Sequence, residues 1–253
     1  MNERDRTFPP AVLRFSELKE IRKSPAHFRA AYETVRDEDV SLRIGQLTHT
    51  LILGGDAFAV YEGERRGNAW KDFQAKHPNT FIVTEKEFAR ANRVALAARK
   101  DPVARPLLEG LKEQELTWEA FGRKCAGRVD IIGSNFIADV KTTRYAEPGF
   151  FSREALRRAY HAQLAWYSQG AQANGHAVNN MYLLGVETGA PYAVTVLRVT
   201  MRAEEEGRKL LRLWVERVAT SEASNEWPGY VQAPVDLDIM EEAGLIFDDI
   251  EAA

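Results

Sequence analysis

Apolar and polar positions alternate most clearly within residues 127–141, where two short apolar runs, 128–132 and 136–140, flank Gly133-Ser134-Asn135. This pattern predicts two β-strands joined by a tight hairpin turn. Residues 113–121 alternate too, with Leu116, Trp118 and Ala120 on one face and Glu115, Thr117, Glu119 and Phe121 on the other, as in a half-buried strand. Gly122-Arg123-Lys124 turns that strand into the hairpin, so three antiparallel strands follow one another. Residues 181–187 and 192–199 read as a second hairpin around Thr188-Gly189-Ala190-Pro191.

Helical spacing fills much of the remainder. Ser16 caps a short helix, and Ser24-Pro25 reads as the N-cap and first residue of another, running to residue 32. Residues 42–53 place Leu42, Gly45, His49 and Ile52 along one side before Gly54-Gly55 stops them. Gly45 weakens that helix, which predicts a close approach one turn before His49. Thr84-Glu85-Lys86-Glu87 is a capping box opening a helix to residue 100, with Phe88, Ala91 and Ala95 apolar. Asp101-Pro102 starts a short helix that Gly110 ends, and Ser152 is expected to cap a basic helix holding Arg153, Arg157 and Arg158. Residues 160–174, closed by Gly175, and residues 202–219, with Leu210, Leu211, Trp214 and Val218 inward, form two more. Residues 1–15 look irregular and 56–80 loop-rich. The elements predict an α/β fold with a mixed central β-sheet flanked by helices. A single domain is expected over 1–235, helical over 14–110 with a core at 111–220.

Composition changes this picture little: 45% apolar and 28% charged residues are ordinary for a globular protein. A single cysteine, Cys125, excludes a disulfide framework, a cysteine-based zinc site and an iron–sulfur cluster. No apolar run reaches the length of a membrane span, and the first residues carry no signal-peptide core, so a cytoplasmic protein without membrane contact is expected. The net charge of −3 is uneven. Residues 236–253 hold seven acids and no Lys or Arg, which leaves a mildly basic body and an acidic C-terminal tail.

The candidate chemistry lies in the central hairpin. Each run carries a carboxylate where a buried strand would hold another aliphatic residue: Asp130 in the first, Asp139 in the second. With Ser134 and Asn135 as the turn, the register sets Asp130 opposite Asp139 and Arg128 opposite Lys141, and Asp139 and Lys141 share a face. Facing carboxylates repel and resist desolvation unless a cation lies between them, which a divalent metal would supply. Alternatively, Asp130 is a plain hairpin residue and Asp139 with Lys141 a surface ion pair. Glu119 is a candidate extra ligand. His49 alone fits a satisfied helical histidine as well as a ligand, and Gln163 and Tyr167, four apart, fit a surface pair as well as groups reaching a site. Arg65-Arg66-Gly67-Asn68 with Trp70, Lys71 and Phe73 is a basic cluster interleaved with aromatics, suited to phosphate contact or to a solvated loop.

Taken in order, the motifs resemble the PD-(D/E)XK nuclease superfamily. They are Ser24-Pro25-Ala26-His27-Phe28, Gly45-Gln46-Leu47-Thr48-His49, Gly127-Arg128-x-Asp130, Asp139-x-Lys141 and Tyr160-His161-Ala162-Gln163 with Tyr167. More narrowly they are similar to its phage-type RecE (exonuclease VIII) branch, which shares the RecB-like motif set. The resemblance covers residues 14–230. It departs in lacking the superfamily's proline, since Val129 precedes Asp130, and the cysteines of the iron–sulfur members.

The resemblance implies that Asp130 and Asp139 bind the metal with the carbonyl of Val140, and that Lys141 orients or deprotonates the attacking water. His49 would be a ligand or touch the scissile phosphate, while Gln163 and Tyr167 hold the strand or brace Lys141. As a base, Lys141 would need a depressed pKa. Carboxylates suit Mg²⁺ or Mn²⁺, and the histidine favours Mn²⁺. Arg65, Arg66, Lys71, Arg128, Arg144 and Arg157 are candidates for DNA contact. The implied activity is 5′-to-3′ exonuclease action on linear double-stranded DNA, with a homo-oligomeric ring and a single-strand annealing protein as partners. A structure-specific endonuclease, a helicase-associated nuclease domain and a non-catalytic DNA-binding protein are the alternatives.

Overall fold

The computed structural model describes residues 7–34, 40–55, 58–78, 80–230 and 234. The acidic tail at 236–253 and the side chain of Leu42 lie outside the described residues. In chain order, β1 (Val12–Arg14) runs directly into α1 (Phe15–Leu18) and a 3₁₀ turn (Lys19–Arg22), followed by α2 (Pro25–Glu33) and α3 (Val40–Leu53). Then come β2 (Phe58–Tyr61), α4 (Gly67–Lys76), β3 (Phe81–Thr84), α5 (Glu85–Lys100) and α6 (Ala104–Leu107). The core strands β4 (Leu111–Ala120), β5 (Arg123–Ile132) and β6 (Phe136–Thr143) precede α7 (Pro148–Arg157) and α8 (Tyr160–Ala173). The second hairpin, β7 (Asn180–Glu187) and β8 (Val194–Arg198), leads into α9 (Met201–Ser224).

Among the described residues, the main sheet has six strands in the order β1-β5-β6-β7-β8, with β4 also on β5, while β2 and β3 form a separate parallel pair. β4 covers β5 along its whole length, from Ala120 opposite Arg123 to Leu111 opposite Ile132. β1 and β6 must therefore share the other edge of β5. β1 takes Lys124 to Ala126 and β6 takes Ile131 and Ile132, so residues 127–130 have no strand partner on that side. The main sheet is forked there.

Most of the predicted elements form, for the expected reasons. Ser24 accepts the His27 N–H at the start of α2, and Thr84 and Glu87 make both bonds of the capping box at α5. Four expectations differ. Ser16 does not cap its helix but lies inside α1, which starts at Phe15 because β1 runs straight into it, with Arg14 at the N-cap and no side-chain bond there. Irregular residues 12–14 pair as β1, because three residues suffice for a strand when a partner edge is open. The loop-rich 56–80 stretch holds β2 and α4, whose polar sequence buries no side chain completely. The basic helix starts at Pro148 rather than at Ser152: Glu147 accepts the N–H groups of Gly149 and Phe150, while Ser152 donates back to the Pro148 carbonyl inside the helix.

The two faces of the sheet carry separate apolar cores. On one, Trp118, Cys125, Val129, Ile137 and Leu183 pack with Trp166 of α8 and Trp214 of α9. On the other, Ile131, Ala138, Val140, Leu184 and Val186 pack with Leu47 and Ile52 of α3 and Val94 and Ala98 of α5. Trp166 ties the first layer to the sheet beside the fork, donating its indole N–H to the Ala126 carbonyl at 3.2 Å. Along β5 the alternation slips at Asp130, since Val129 and Ile132 enter the first core and Ile131 the second. Among the described residues, no helix is long and apolar enough to cross a membrane.

Cys125 lies fully inside the first core, and burial pushes its thiol up to about 11. In the folded protein at pH 8 the thiol is therefore expected to stay unmodified by an aromatic disulfide reagent and to react stoichiometrically once urea unfolds the chain.

Candidate active site

The fork opens into a cleft of about 810 Å³ whose lining includes Gly45, His49, Asp130, Lys141, Tyr160 and Tyr167. Its position explains how groups from both layers meet. α3 reaches in from one face with His49, and α8 from the other with Tyr160 and Tyr167, through the gap between β1 and β6.

The expected register holds at the turn: Ile131 pairs with Ala138, Ile132 with Ile137, and Gly133 N–H donates to the Phe136 carbonyl. It stops one pair before Asp130 and Asp139. There the strands diverge, and the Asp130 carboxylate accepts the Val140 N–H at 2.8 Å in place of a backbone partner. Divergence lets Asp130 serve the sheet as a hydrogen-bond acceptor while its remaining lone pairs face the cleft.

Both carboxylates are buried and each meets a basic group of the chain. His49 Nε2 lies 2.9 Å from Asp130 Oδ2, and Lys141 Nζ lies 2.6 Å from Asp139 Oδ2. Burial disfavours the charged form of His49, but its hydrogen bond to Asp130 and the surrounding carboxylates outweigh this and raise its pKa. Asp130 is likewise pushed up by burial and pulled down further by His49, Lys141 and the Val140 amide, so it stays ionised. Asp139 behaves differently. Burial, with Asp130 nearby and against the pull of Lys141, drives its carboxyl up to about 6. For Lys141, burial is overcome by Asp139 and Asp130, and the pKa rises. The depressed lysine pKa that a general base needs is not found; Lys141 is a held ammonium, lying 4.7 Å from the centre of the Tyr160 ring.

Tyr167 and Gln163 meet as their spacing predicts, with Gln163 Nε2 donating to the Tyr167 hydroxyl at 3.0 Å. Tyr167 lines the cleft, and burial raises its phenol to about 12, so it remains protonated. Its ring lies on Gly127, where a Cβ would fall 2.8 Å from Tyr167 Cε1. This accounts for the glycine of Gly-Arg-x-Asp. Gly45 is less constrained: a Cβ there would meet Thr142 Oγ1 at 3.6 Å, an ordinary contact.

Glu119 is not part of this site. It pairs with Lys124 at the far end of β5, six residues or about 20 Å of strand from Asp130, and lines a separate pocket with Val12 and Trp118. The acid that does approach is Glu113, with Oε1 3.6 Å from His49 Nδ1 and 3.9 Å from an Arg128 guanidinium nitrogen. Its backbone on β4 is left-handed at φ 48°, between Lys112 and Gln114, which pair with Ile131 and Val129 on either side of Asp130. Of the basic candidates, Arg128 lines the cleft, whereas Arg65, Arg66 and Lys71 sit away from it, near β2 and α4. Arg65 is engaged by Glu87 at 2.5 Å and Arg66 by Glu64. Arg144 and Arg157 are exposed at the start and end of the α7 segment. Arg14 and Arg158, also at the cleft, are additions the motif pattern did not single out as site residues.

The donor set suits a hard divalent cation. Asp139 Oδ2 is buried without a hydrogen-bond partner, and its contact with the ammonium is an off-axis ion pair. Asp130, Asp139 and the Val140 carbonyl are oxygen donors on the two diverging strands, and His49 adds a nitrogen. Among the described residues no three His, Cys, Asp or Glu side chains already converge as a metal cage. Loading would exchange two internal ion pairs for a single ion.

Gly127→Ala should force the Tyr167 ring off β5 and lower stability by about 1–3 kcal/mol, read from the urea midpoint. A second expectation concerns pH. Because the folded-state pKa of Asp139 is raised from 3.8 to about 6, its stabilising contribution is present below the ordinary value and lost as pH rises through 6. In EDTA the stability of the wild type, relative to Asp139→Asn, should therefore fall between pH 4 and pH 7.

Comparison with known proteins bears on the fold and the family. No curated protein sequence matches the chain. A crystal structure from Eubacterium rectale, described as that of a "putative exonuclease", superposes with a TM-score of 0.63 at 15% identity, covering 93% of this chain and 94% of that one. A second crystal structure, of SSO0001, covers 81% of this chain and 85% of that one at 13% identity and a TM-score of 0.30, too distant to bear on the fold. The family model described as "PDDEXK-like domain of unknown function (DUF3799)" matches residues 14–233. With its nuclease-type sheet, helices and acidic pair accounted for, the chain belongs to this PDDEXK-like family.

Proposed function

We propose that the protein is a divalent-metal-dependent exodeoxyribonuclease of the RecE-like type, acting on linear double-stranded DNA from the 5′ end. The observation that carries the reading is the fork in the sheet, where Asp130, Asp139, Lys141 and His49 are gathered at an open cleft. In this reading Asp130, Asp139, His49 and the Val140 carbonyl hold Mg²⁺ or Mn²⁺. When bound, the ion supplies charge neutralisation at the phosphoryl oxygens and a more acidic water.

The chain's own groups do the rest. Lys141, a cation, donates to the attacking water or a phosphoryl oxygen and stabilises the negative charge that grows there. Tyr160 sets one limit to its position by lying beside the ammonium. Tyr167, protonated and braced by Gln163, offers a hydroxyl donor from the opposite wall. Arg128, which lines the cleft, is a DNA-backbone contact in this reading, and the exposed Arg144 and Arg157 are further candidates. A mainly neutralising lysine leaves proton removal to the solvent.

The resemblance that motivates the 5′-to-3′ polarity also assigns a ring-shaped homo-oligomer around the duplex. It assigns, too, a single-strand annealing partner for the exposed strand in phage-type recombination. The setting is the cytoplasm of a bacterial or phage-infected cell.

End-labelled linear duplex and closed circular DNA, each with Mg²⁺, Mn²⁺ or EDTA, test this. Mononucleotides should be released from the linear duplex alone and only with metal, the label position giving the polarity. Nicked circles would make the protein an endonuclease instead. Lys141→Ala should slow cleavage about 10²–10³-fold, and Asp139→Ala at least as much, while both variants still bind DNA. Undiminished cleavage by Asp139→Ala would remove the acidic pair from the reaction.

A further inference from the structure

The segment leaving β6 holds two aromatic rings in solvent. Tyr145 is 48% exposed and Phe150 40%, and they meet edge to face with centroids 5.5 Å apart and planes at 81°. Arg144 lays its guanidinium over the Tyr145 ring, 5.3 Å from the centroid. The backbone beneath them is fixed. The Thr143 hydroxyl is shared between the Tyr145 carbonyl and the Glu154 carboxylate, both at 3.1 Å, and lies 3.3 Å from the Tyr145 N–H. Glu187 accepts the Ala146 N–H at 2.9 Å, and the Thr195 hydroxyl donates to the Ala146 carbonyl. Glu147 accepts the Phe150 N–H at 2.6 Å at the start of α7.

Rings that merely escaped the core would sit on a yielding loop. These are displayed on a backbone bonded on both sides, and the same bonds reach the cleft: Glu154, which engages Thr143, also accepts from Arg158, a cleft residue. Tyr145 is four residues past Lys141, so its Cα lies within about 14 Å of that of Lys141. That reach is about four base steps of a DNA strand. The surrounding exposed side chains include the cations Arg144, Arg153 and Arg157, beside the acid Glu147, whose carboxylate caps α7, and the apolar Leu156. An apolar protein segment would meet guanidinium groups here instead of an apolar groove, whereas a polynucleotide presents flat π-faces on an anionic backbone.

The geometry points to Tyr145 and Phe150, with Arg144, as a stacking platform for an unpaired base of the DNA strand whose phosphates enter the cleft. This rests on the nuclease reading above. Base faces are hidden inside a duplex and exposed at a frayed end or tail, so the platform discriminates in favour of strands already open. It is indifferent to sequence, because every base offers a π-face.

The test is binding of the full chain in EDTA, followed by fluorescence anisotropy, to a duplex with a short single-stranded tail. The tail either carries its bases or is abasic throughout, at equal phosphate count, and 5′ and 3′ tails are both used. The wild type should bind a base-bearing tail roughly 5- to 150-fold more tightly than its abasic counterpart. Tyr145→Ala with Phe150→Ala should reduce that ratio to near one while leaving the abasic affinity in place. Exchanging the rings, Tyr145→Phe with Phe150→Tyr, should preserve it. Equal wild-type affinity for the two tails overturns the platform, whether or not the double alanine variant folds, and so does a ratio that survives in a folded double alanine variant. Either result leaves DNA binding, and so the nuclease reading, standing. Loss of binding to every tail would overturn both.

Discussion

A strand has two edges, and one edge of β5 is divided between two partners that do not meet. β1 takes its beginning, β6 its end, and residues 127–130 are left without a ladder on that side. Unpaired backbone inside a sheet must be satisfied or left open to solvent. Here the cleft accepts part of the demand and the Asp130 carboxylate another part, by taking the Val140 amide. The site follows from that constraint. A continuous ladder would have sealed α3 from α8. The fork brings His49 of one layer and Tyr167 of the other to the same pair of diverging strands.

Much of this was legible from residue pattern. The hairpins and capping box are local rules, and they formed where local rules placed them. The acidic pair and Lys141 stood out as charges in two apolar strand runs, whereas the spacing of His49, Gln163 and Tyr167 fitted a satisfied histidine or a surface pair equally well, and only the resemblance of the whole motif order drew them to the site. What escaped depended on other elements. Three residues of β1 are too few to show alternation, and α4 lacks the fully buried stripe that would announce it. Glu113 gains its position from a left-handed backbone between the pairs that flank Asp130, which no side-chain pattern encodes. Glu119 was misplaced for the converse reason. It shares a strand with residues near the site, yet antiparallel pairing carries it toward the other end.

Electrostatics refine the role of the lysine. Motif order alone leaves open whether Lys141 gives or takes a proton. In the folded chain burial is the largest single influence and would loosen its proton, but Asp139 and Asp130 together outweigh it and hold the proton on. Tyr160 and Asp139 lie against the ammonium and fix its position.

Each acid at the fork leans on one counter-group of the chain, Asp130 on His49 and Asp139 on Lys141. Removing a single member of such a buried couple strands its mate away from water, which costs more than the couple itself contributes. Exchanges in this corner are therefore constrained two at a time: the chain tolerates the loss of both members of a couple better than the loss of one.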